Sequence, residues 1–334
     1  MNLFENRTFV KIGIIVGIAL FSLSGCQPKH RYMKDTALRF EEMLKTIPPD
    51  HVGDSIRKNH SDLAPFFSIY NEQVISIGPD TNAQYTKLLS KFLDDSVIID
   101  IYDQISKNEP VYQKTIRETE AAFAGFPSVL PGIPVPRIVT YIGGFNQSFV
   151  TLPGILAIGL DNYLGDTCSL YSRLGIPAYL RNQMNPENLP SDAVRAWLSS
   201  EIPTLPPGSS FLDYLVHEGI IYYSTGKIMP DLPVERLFHY TGEQARWCRD
   251  NEKAMWKFLA QQELIFSTDR FTVRRFFEEA PFTREFGQDS PGRTGSWIGY
   301  RLVGSYMKQT GCSITELLRS TDYRKILSLS NYHP

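Results

Sequence analysis

The sequence predicts an α+β fold, mostly helical with a small mid-chain β-sheet. Three observations carry this. Apolar residues recur at helical spacing in the front and rear parts of the chain. β-Branched and aromatic runs bounded by Gly and Pro gather between about 137 and 160. Strands and helices do not alternate as they would in a βαβ winding. Taken in order, His30 to about Ile47 is polar and helix-prone and ends at Pro48-Pro49; it reads as a tether leading into a first helix. Leu63 to Ser76 opens on Pro65-Phe66-Phe67, an apolar helix start. Gln84 to Lys107 reads as one helix, with Ile98, Ile101, Tyr102 and Ile105 at i, i+3, i+4 and i+7 on a single face. Pro110 breaks it, and Val111 to Phe126 continues as another helix up to Pro127.

The texture then changes. Arg137 to Ile142 is a strand, Gly143-Gly144 a turn, residues 145–153 a poorer strand, and Gly154 to Leu160 a more buried one. Helix returns from Ser191 to Glu201 and stops at Pro203. Ser210-x-x-Asp213 resembles a capping box for a helix from Phe211 to about Ser224. Thr241-x-x-Gln244 is a second, opening a helix to about Glu263, and a last helix is expected from Ser296 to Lys308.

The first 25 residues stand apart. Arg7 and Lys11 are basic, Ile12 to Leu23 is almost wholly apolar, and Leu23-Ser24-Gly25-Cys26 follows at once. Basic start, short apolar stretch and small residues before a cleavage point make a secretory signal. The apolar part falls short of the ~20 residues that span a hydrocarbon core. The four residues ending at Cys26 resemble a bacterial lipobox, in which the Cys thiol takes a diacylglycerol and becomes the mature N-terminus. An ordinary cleaved signal with a chance Cys is the plainer alternative. Two or more acyl chains hold a protein stably on a bilayer where one does not. The chain is thus read as signal 1–25, tether 26–36 and one domain 37–334, lipid-anchored in the cell envelope. Gln27, not Asp, follows the Cys, which points to the outer membrane.

Composition bounds the remainder. Hydrophobic content of 42% with 12% aromatic supplies a core, and a net charge of −2 gives no footprint for nucleic acid. Past Cys26 stand Cys168, Cys248 and Cys312. An odd number at wide spacing gives no disulfide framework and no zinc knuckle, and small buried or semi-buried thiols are expected; a Cys168–Cys312 bridge stays open. No cofactor motif is present: there is no Gly-x-Ser-x-Gly elbow, P-loop or dinucleotide fingerprint.

A zinc helix carries His-Glu-x-x-His so that both imidazoles share a face. His217-Glu218 starts that pattern, but Ile221 stands at i+4 from His217. Leu212, Leu215, Val216, Gly219, Tyr222 and Tyr223 make the apolar face; His217 is expected on the other side, paired with Asp213. Glu218 lies at the core margin, where a carboxylate needs a partner, either a structural Arg or Tyr or a ligand. Asp161 ends the second strong strand, as a turn cap or as a binding group. Ser290-Pro-Gly-Arg-Thr-Gly295 leads into a helix; it could cradle an anion, but Gly295 and Gly299, one turn apart, more simply allow close helix packing.

Several ordered blocks together resemble the gliding-motility lipoprotein family GldB: Val-Thr-Tyr-Ile (139–142), Gly-Leu-Asp-Asn-Tyr-Leu-Gly (159–165), Gly-Lys-Ile-Met-Pro (226–230), Trp-Cys-x-x-Asn-Glu (247–252), Phe-Ser-Thr-Asp (266–269), Ala-Pro-Phe (280–282) and Ser-Pro-Gly-Arg-x-Gly-x-Trp-Ile-Gly (290–299). The resemblance covers essentially the whole mature chain. Glu218-Gly219 with Tyr222-Tyr223 is also similar to the second helix of a class of predicted zinc peptidases. The helix that should carry His-Glu-x-x-His there, Asp192 to Glu201, has no His. The resemblance therefore implies a peptidase-like scaffold whose metal site is gone, with no cofactor, acting by binding an envelope protein partner. A groove between the mid-chain sheet and the Phe211 helix, lined by Glu218, Asp161 and Tyr163, is the expected binding surface. A hydrolase using Glu218 is the alternative.

Overall fold

The computed structural model describes residues 37–334, so Cys26, the signal and the tether lie outside the described residues. The protein is mostly helical with one four-stranded mixed sheet, as the patterning predicts. The described chain divides into two compact units, one taking residues up to 120, 135–165 and 185–187, the other taking 121–134, 166–184 and 188–334.

The first unit holds the sheet. β1 (Leu38–Arg39) leads directly into α1 (Phe40–Thr46); α2 (Val52–Asn59) and α3 (Ala64–Ile69) follow, the latter running on into a π-helical turn over Tyr70–Val74. The helix expected over 84–107 is two: α4 (Tyr85–Leu93) and α5 (Ser96–Lys107). Asp95 divides them, because its carboxylate accepts the Val97 N–H at 2.8 Å and so starts a new helix. The expected apolar face of α5 is buried as predicted. α6 (Glu109–Ala124) takes Pro110 into its first turn, where Pro has no N–H to lose.

The strands are β2 (Arg137–Tyr141), β3 (Phe149–Leu152) and β4 (Ile155–Gly159), in the order β1-β2-β4-β3. β2 runs parallel to β1 and β4, and β3 is antiparallel to β4. Pro153-Gly154 closes the β3–β4 hairpin with Gly154 at φ 77°. β4 is buried along its whole length, which explains its unbroken apolar run. In the core Phe40 packs edge-on against Phe66, Phe67 and Tyr70, Tyr141 packs edge-on against Tyr70, and the Tyr70 hydroxyl donates to the Ile142 carbonyl at 2.9 Å.

The second unit is helical: α7 (Phe126–Val129), α8 (Ser169–Arg173), α9 (Ala178–Arg181), α10 (Leu189–Glu201), α11 (Phe211–Ile228), α12 (Val234–Leu237), α13 (Gly242–Gln261), α14 (Arg270–Phe277), α15 (Thr294–Thr310), α16 (Ile314–Leu318) and α17 (Tyr323–Ser330). Both expected capping boxes are present, Ser210 with Asp213 on α11 and Thr241 with Gln244 on α13. The helix expected last, α15, is followed by two short ones. α11 and α15 form the centre of the unit. A Cβ on Gly299 would overlap the Leu215 carbonyl oxygen, and one on Gly219 would overlap the Gly299 carbonyl, so the pair of glycines brings backbone against backbone. Gly295 likewise faces the Phe277 ring with no room for a methyl. Cys168, Cys248 and Cys312 are all free thiols, so the Cys168–Cys312 bridge is not formed.

Candidate functional site

The second unit buries an ionic cluster at its centre. Its first members come from one helix: Asp192 and Arg195 stand one turn apart on α10, with Asp192 Oδ1 2.5 Å from Arg195 Nη2. The His239 ring, carried at φ 54° just beyond α12, brings Nε2 to 2.8 Å from the same carboxylate oxygen. Arg195 Nη1 then donates to the Tyr222 hydroxyl at 2.5 Å, and its guanidinium carbon lies 4.9 Å from the Tyr222 ring centre. Tyr222 projects from α11.

A second guanidinium meets the same hydroxyl. Arg293 caps α15 at φ 56° and donates to the Tyr222 oxygen at 2.8 Å and to the Phe238 carbonyl at 2.6 Å. Glu279 Oε1 lies 3.1 Å from Arg293 Nη1, and Glu279 Oε2 accepts the Gln183 side-chain amide at 2.8 Å. Gln183 Oε1 in turn faces His239 Nδ1 at 3.3 Å, which closes the circuit back to Asp192. An aromatic wall backs the arrangement: Tyr222 and Phe238 stack at 4.3 Å, with Tyr240 and Trp297 beyond.

Burial sets the electrostatics. It opposes the charge on Asp192, yet His239 and Arg195 together hold that carboxyl well below the usual range. Burial also opposes the charge on both guanidiniums; for Arg195 it is outweighed by Tyr222 and Asp192, and for Arg293 chiefly by Glu279, so both stay protonated. His239 is pushed down by burial, pulled back by Asp192, and pushed down again by the two arginines. Glu218 sits at the edge of this cluster. Burial raises its pKa, Arg195, the Ser296 hydroxyl and Arg293 pull it back, and Glu279 raises it further. Ser296 Oγ donates to Glu218 Oε2 at 3.3 Å.

The model of the gliding motility protein GldB family matches residues 29–334. The chain belongs to the GldB family. No curated protein and no solved structure matched it.

The donor set of this buried cluster does not fit a zinc ion. A zinc site needs N, O or S donors converging at about 2 Å on one point. The Asp192 oxygen that a metal would use is shared by the Arg195 guanidinium and the His239 imidazole. Among the described residues no three His, Cys, Asp or Glu side chains converge as a ligand set.

The side chains expected to line a groove fall in both units: Asp161 and Tyr163 in the first, Glu218 in the second. Asp161 is fully buried, and its carboxylate accepts the backbone N–H groups of Gly143 and Phe145, as a turn cap would. Burial raises its pKa to about 6 against the pull of those donors. The Tyr163 carbonyl accepts the Tyr112 hydroxyl at 3.1 Å, and its ring packs edge-on against Phe149. His217 departs from expectation. Asp213 turns its carboxylate back onto Ser210 to complete the capping box, and His217 instead bonds the Pro203 backbone.

Sequence reading missed Asp192, Arg195, Tyr222, His239, Glu279 and Arg293 as a group. Only Asp192 and Arg195 carried a local signal, their i,i+3 spacing on one helix. The others lie up to about a hundred positions away and meet only in the folded chain.

Proposed function

We propose that this GldB-family protein is a lipid-anchored, non-catalytic component of the gliding or envelope machinery. It is held by an acylated Cys26, with the outer membrane as the favoured location, and acts by binding an envelope protein partner. The observation that carries the non-catalytic part is the closed circuit Asp192–Arg195–Tyr222–Arg293–Glu279. Each charged group there already has an opposite charge at short range. Such a circuit fixes the geometry of α10, α11 and α15 and leaves its carboxylates committed to structure. The family membership supports the cellular role, and the leader ending at Cys26 supports the anchor.

A second reading rests on Glu218. A carboxyl raised by burial, with a hydroxyl beside it, is the kind of group that serves as a general acid. One substitution separates the two. Glu218→Gln keeps the shape and removes the titrating proton. In a gliding host whose own copy is deleted, this variant is expected to restore colony spreading fully. Lost spreading, with melting temperature and abundance unchanged, would favour the hydrolase.

A further inference from the structure

The outward face of α14 joins an exposed phenyl ring to several guanidinium groups. Asp269 caps the helix by accepting the N–H groups of Phe271 and Thr272 at 3.3 and 3.2 Å. On the inward side Val273 and Phe276 are buried, and Phe276 packs edge-on against Phe211 at 5.1 Å. The helix is therefore seated, and what it shows outside is fixed in place. It shows Phe271, which is 75% exposed, the most exposed large apolar side chain among the described residues. A surface hollow of about 360 Å³ lies beside it, lined by Phe271, Arg274, Arg275, Glu278 and Arg284. Three guanidiniums, one carboxylate and one phenyl ring thus line one hollow. Arg274 pairs with Glu278, and Arg275 with Glu285 at 2.8 Å. Among the described residues Arg270 and Arg284 make no ion pair. Phe266, 57% exposed, lies just ahead of the helix with Arg324 5.4 Å from its ring centre.

Moving an exposed phenyl from water into an apolar layer is favourable, and arginines without carboxylate partners are placed to meet anions. A surface offering both at once is the interface of an anionic bilayer, where a phenyl enters the headgroup–acyl boundary and guanidiniums hold the phosphates. We propose that Phe271, with Arg270 and Arg284, forms a peripheral contact with an anionic phospholipid surface. This rests on the anchored reading above, since an acyl tail on Cys26 keeps the body beside a headgroup plane and lets a weak contact matter. The consequence is orientation: tail and patch together hold the second unit with one chosen face on the membrane.

The test uses the mature, acylated protein reconstituted into vesicles of brominated phosphatidylcholine with or without phosphatidylglycerol. In Phe271→Trp the new indole is expected to be quenched in the anionic vesicles above the level of the four native tryptophans. Adding Arg270→Glu and Arg284→Glu should abolish that extra quenching. No quenching in vesicles that carry the protein would overturn the proposal, as would equal quenching in pure phosphatidylcholine. So would a photocrosslink from position 271 to a protein in place of lipid, which would make the patch a protein interface. A parallel arm separates patch from tail. The mature chain carrying Cys26→Ser, without residues 1–25, should sediment with phosphatidylglycerol vesicles at low salt, release at high salt, and bind about tenfold or more weakly once both charges are reversed. If that holds while the wild-type chain carries no acyl group, the anchor fails and the patch stands. If the acylated protein floats with vesicles and the low-salt binding is absent, the patch fails and the anchor stands.

Discussion

Arg195 and Arg293 converge on a single phenol oxygen, that of Tyr222, and each carries its own carboxylate, Asp192 or Glu279. Two like charges so close stay together only because both are paired and hydrogen-bonded; removing one partner leaves a buried charge without compensation. Asp192→Ala is therefore expected to destabilise the protein by about 3–5 kcal/mol in urea unfolding, since Arg195 loses its carboxylate and His239 the anion 2.8 Å from its Nε2. Glu279→Ala should cost less, because Glu279 is a quarter exposed and Arg293 keeps its bonds to Tyr222 and Phe238. Equal costs would mean that the circuit is not organised around Asp192. His217 gives a pH prediction. Burial pushes its pKa down to about 4, below the ordinary value of 6.5. Between those values the unfolded chain binds a proton that the folded chain refuses, so this contribution is present above pH 6.5 and is lost as pH falls toward 4. Asp161, raised to about 6 from 3.8, works in the opposite direction: the folded state holds the proton longer, and its contribution is lost as pH rises through 6. His217→Gln should thus make unfolding between pH 4 and 6.5 less acid-sensitive, and an unchanged profile would place the His217 ring in water. Little of this was legible beforehand. Periodicity marks which side chains are buried, but not which buried polar groups from α10, α11, the segment after α12 and the start of α15 will share one point. The pairing of His217 with Asp213 failed because a capping box competes for the same carboxylate.

At the scale of elements, the contact between α11 and α15 is set by two glycines with no room for a methyl. Gly299→Ala would drive a Cβ into the Leu215 carbonyl, and overpacking of backbone against backbone is expected to cost about 3 kcal/mol or prevent folding. Gly304, on the same helix, provides the control. A Cβ there would meet only the Tyr223 ring at 3.7 Å, an ordinary contact. Gly304→Ala should be neutral or stabilise by up to about 1 kcal/mol, the usual gain of Ala over Gly inside a helix. Thermal melts should therefore fall for Gly299→Ala and hold or rise for Gly304→Ala, and a shared loss would assign the effect to α15 in general and not to its contact with α11. Gly299 was readable from the sequence because two glycines one turn apart have few other uses in a helix. The capping boxes of α11 and α13 were readable for a similar reason: two side chains at a fixed offset satisfy backbone donors that nothing else nearby can reach. Long periodic segments and β-branched runs also placed themselves. The break between α4 and α5 did not, since both helices continue the same apolar spacing and only the Asp95 side chain divides them. β1, of two residues, and α16, of five, are too brief to show a period at all, whereas α17 buries Tyr323, Ile326 and Ser330 at helical spacing and went unread.

For the molecule as a whole the deciding residue is Cys26. Among the described residues no helix is long and apolar enough to cross a membrane, so the proposed attachment rests on what precedes them. Each buried methylene of an acyl chain contributes about 0.8 kcal/mol, and two chains make release negligible where one leaves it reversible. The α14 patch is weaker in kind, a salt-sensitive contact that orients the body without holding it. Cys26→Ser removes the thiol that would carry the first two chains and touches nothing within residues 37–334. The wild-type protein should fractionate with membranes through a high-salt wash and incorporate labelled palmitate. The variant should take no label, leave the membrane in high salt, and keep the melting temperature of the wild type. In a gliding host it should also fail to restore spreading, whereas Glu218→Gln restores it. The two results together separate position from chemistry: a body that works without its titrating carboxyl but not without its tail acts by where it is held. Retained label and salt-resistant membrane attachment in Cys26→Ser would move the anchor elsewhere in the chain, and full spreading by a released, unlabelled variant would show that attachment is not what the family role requires.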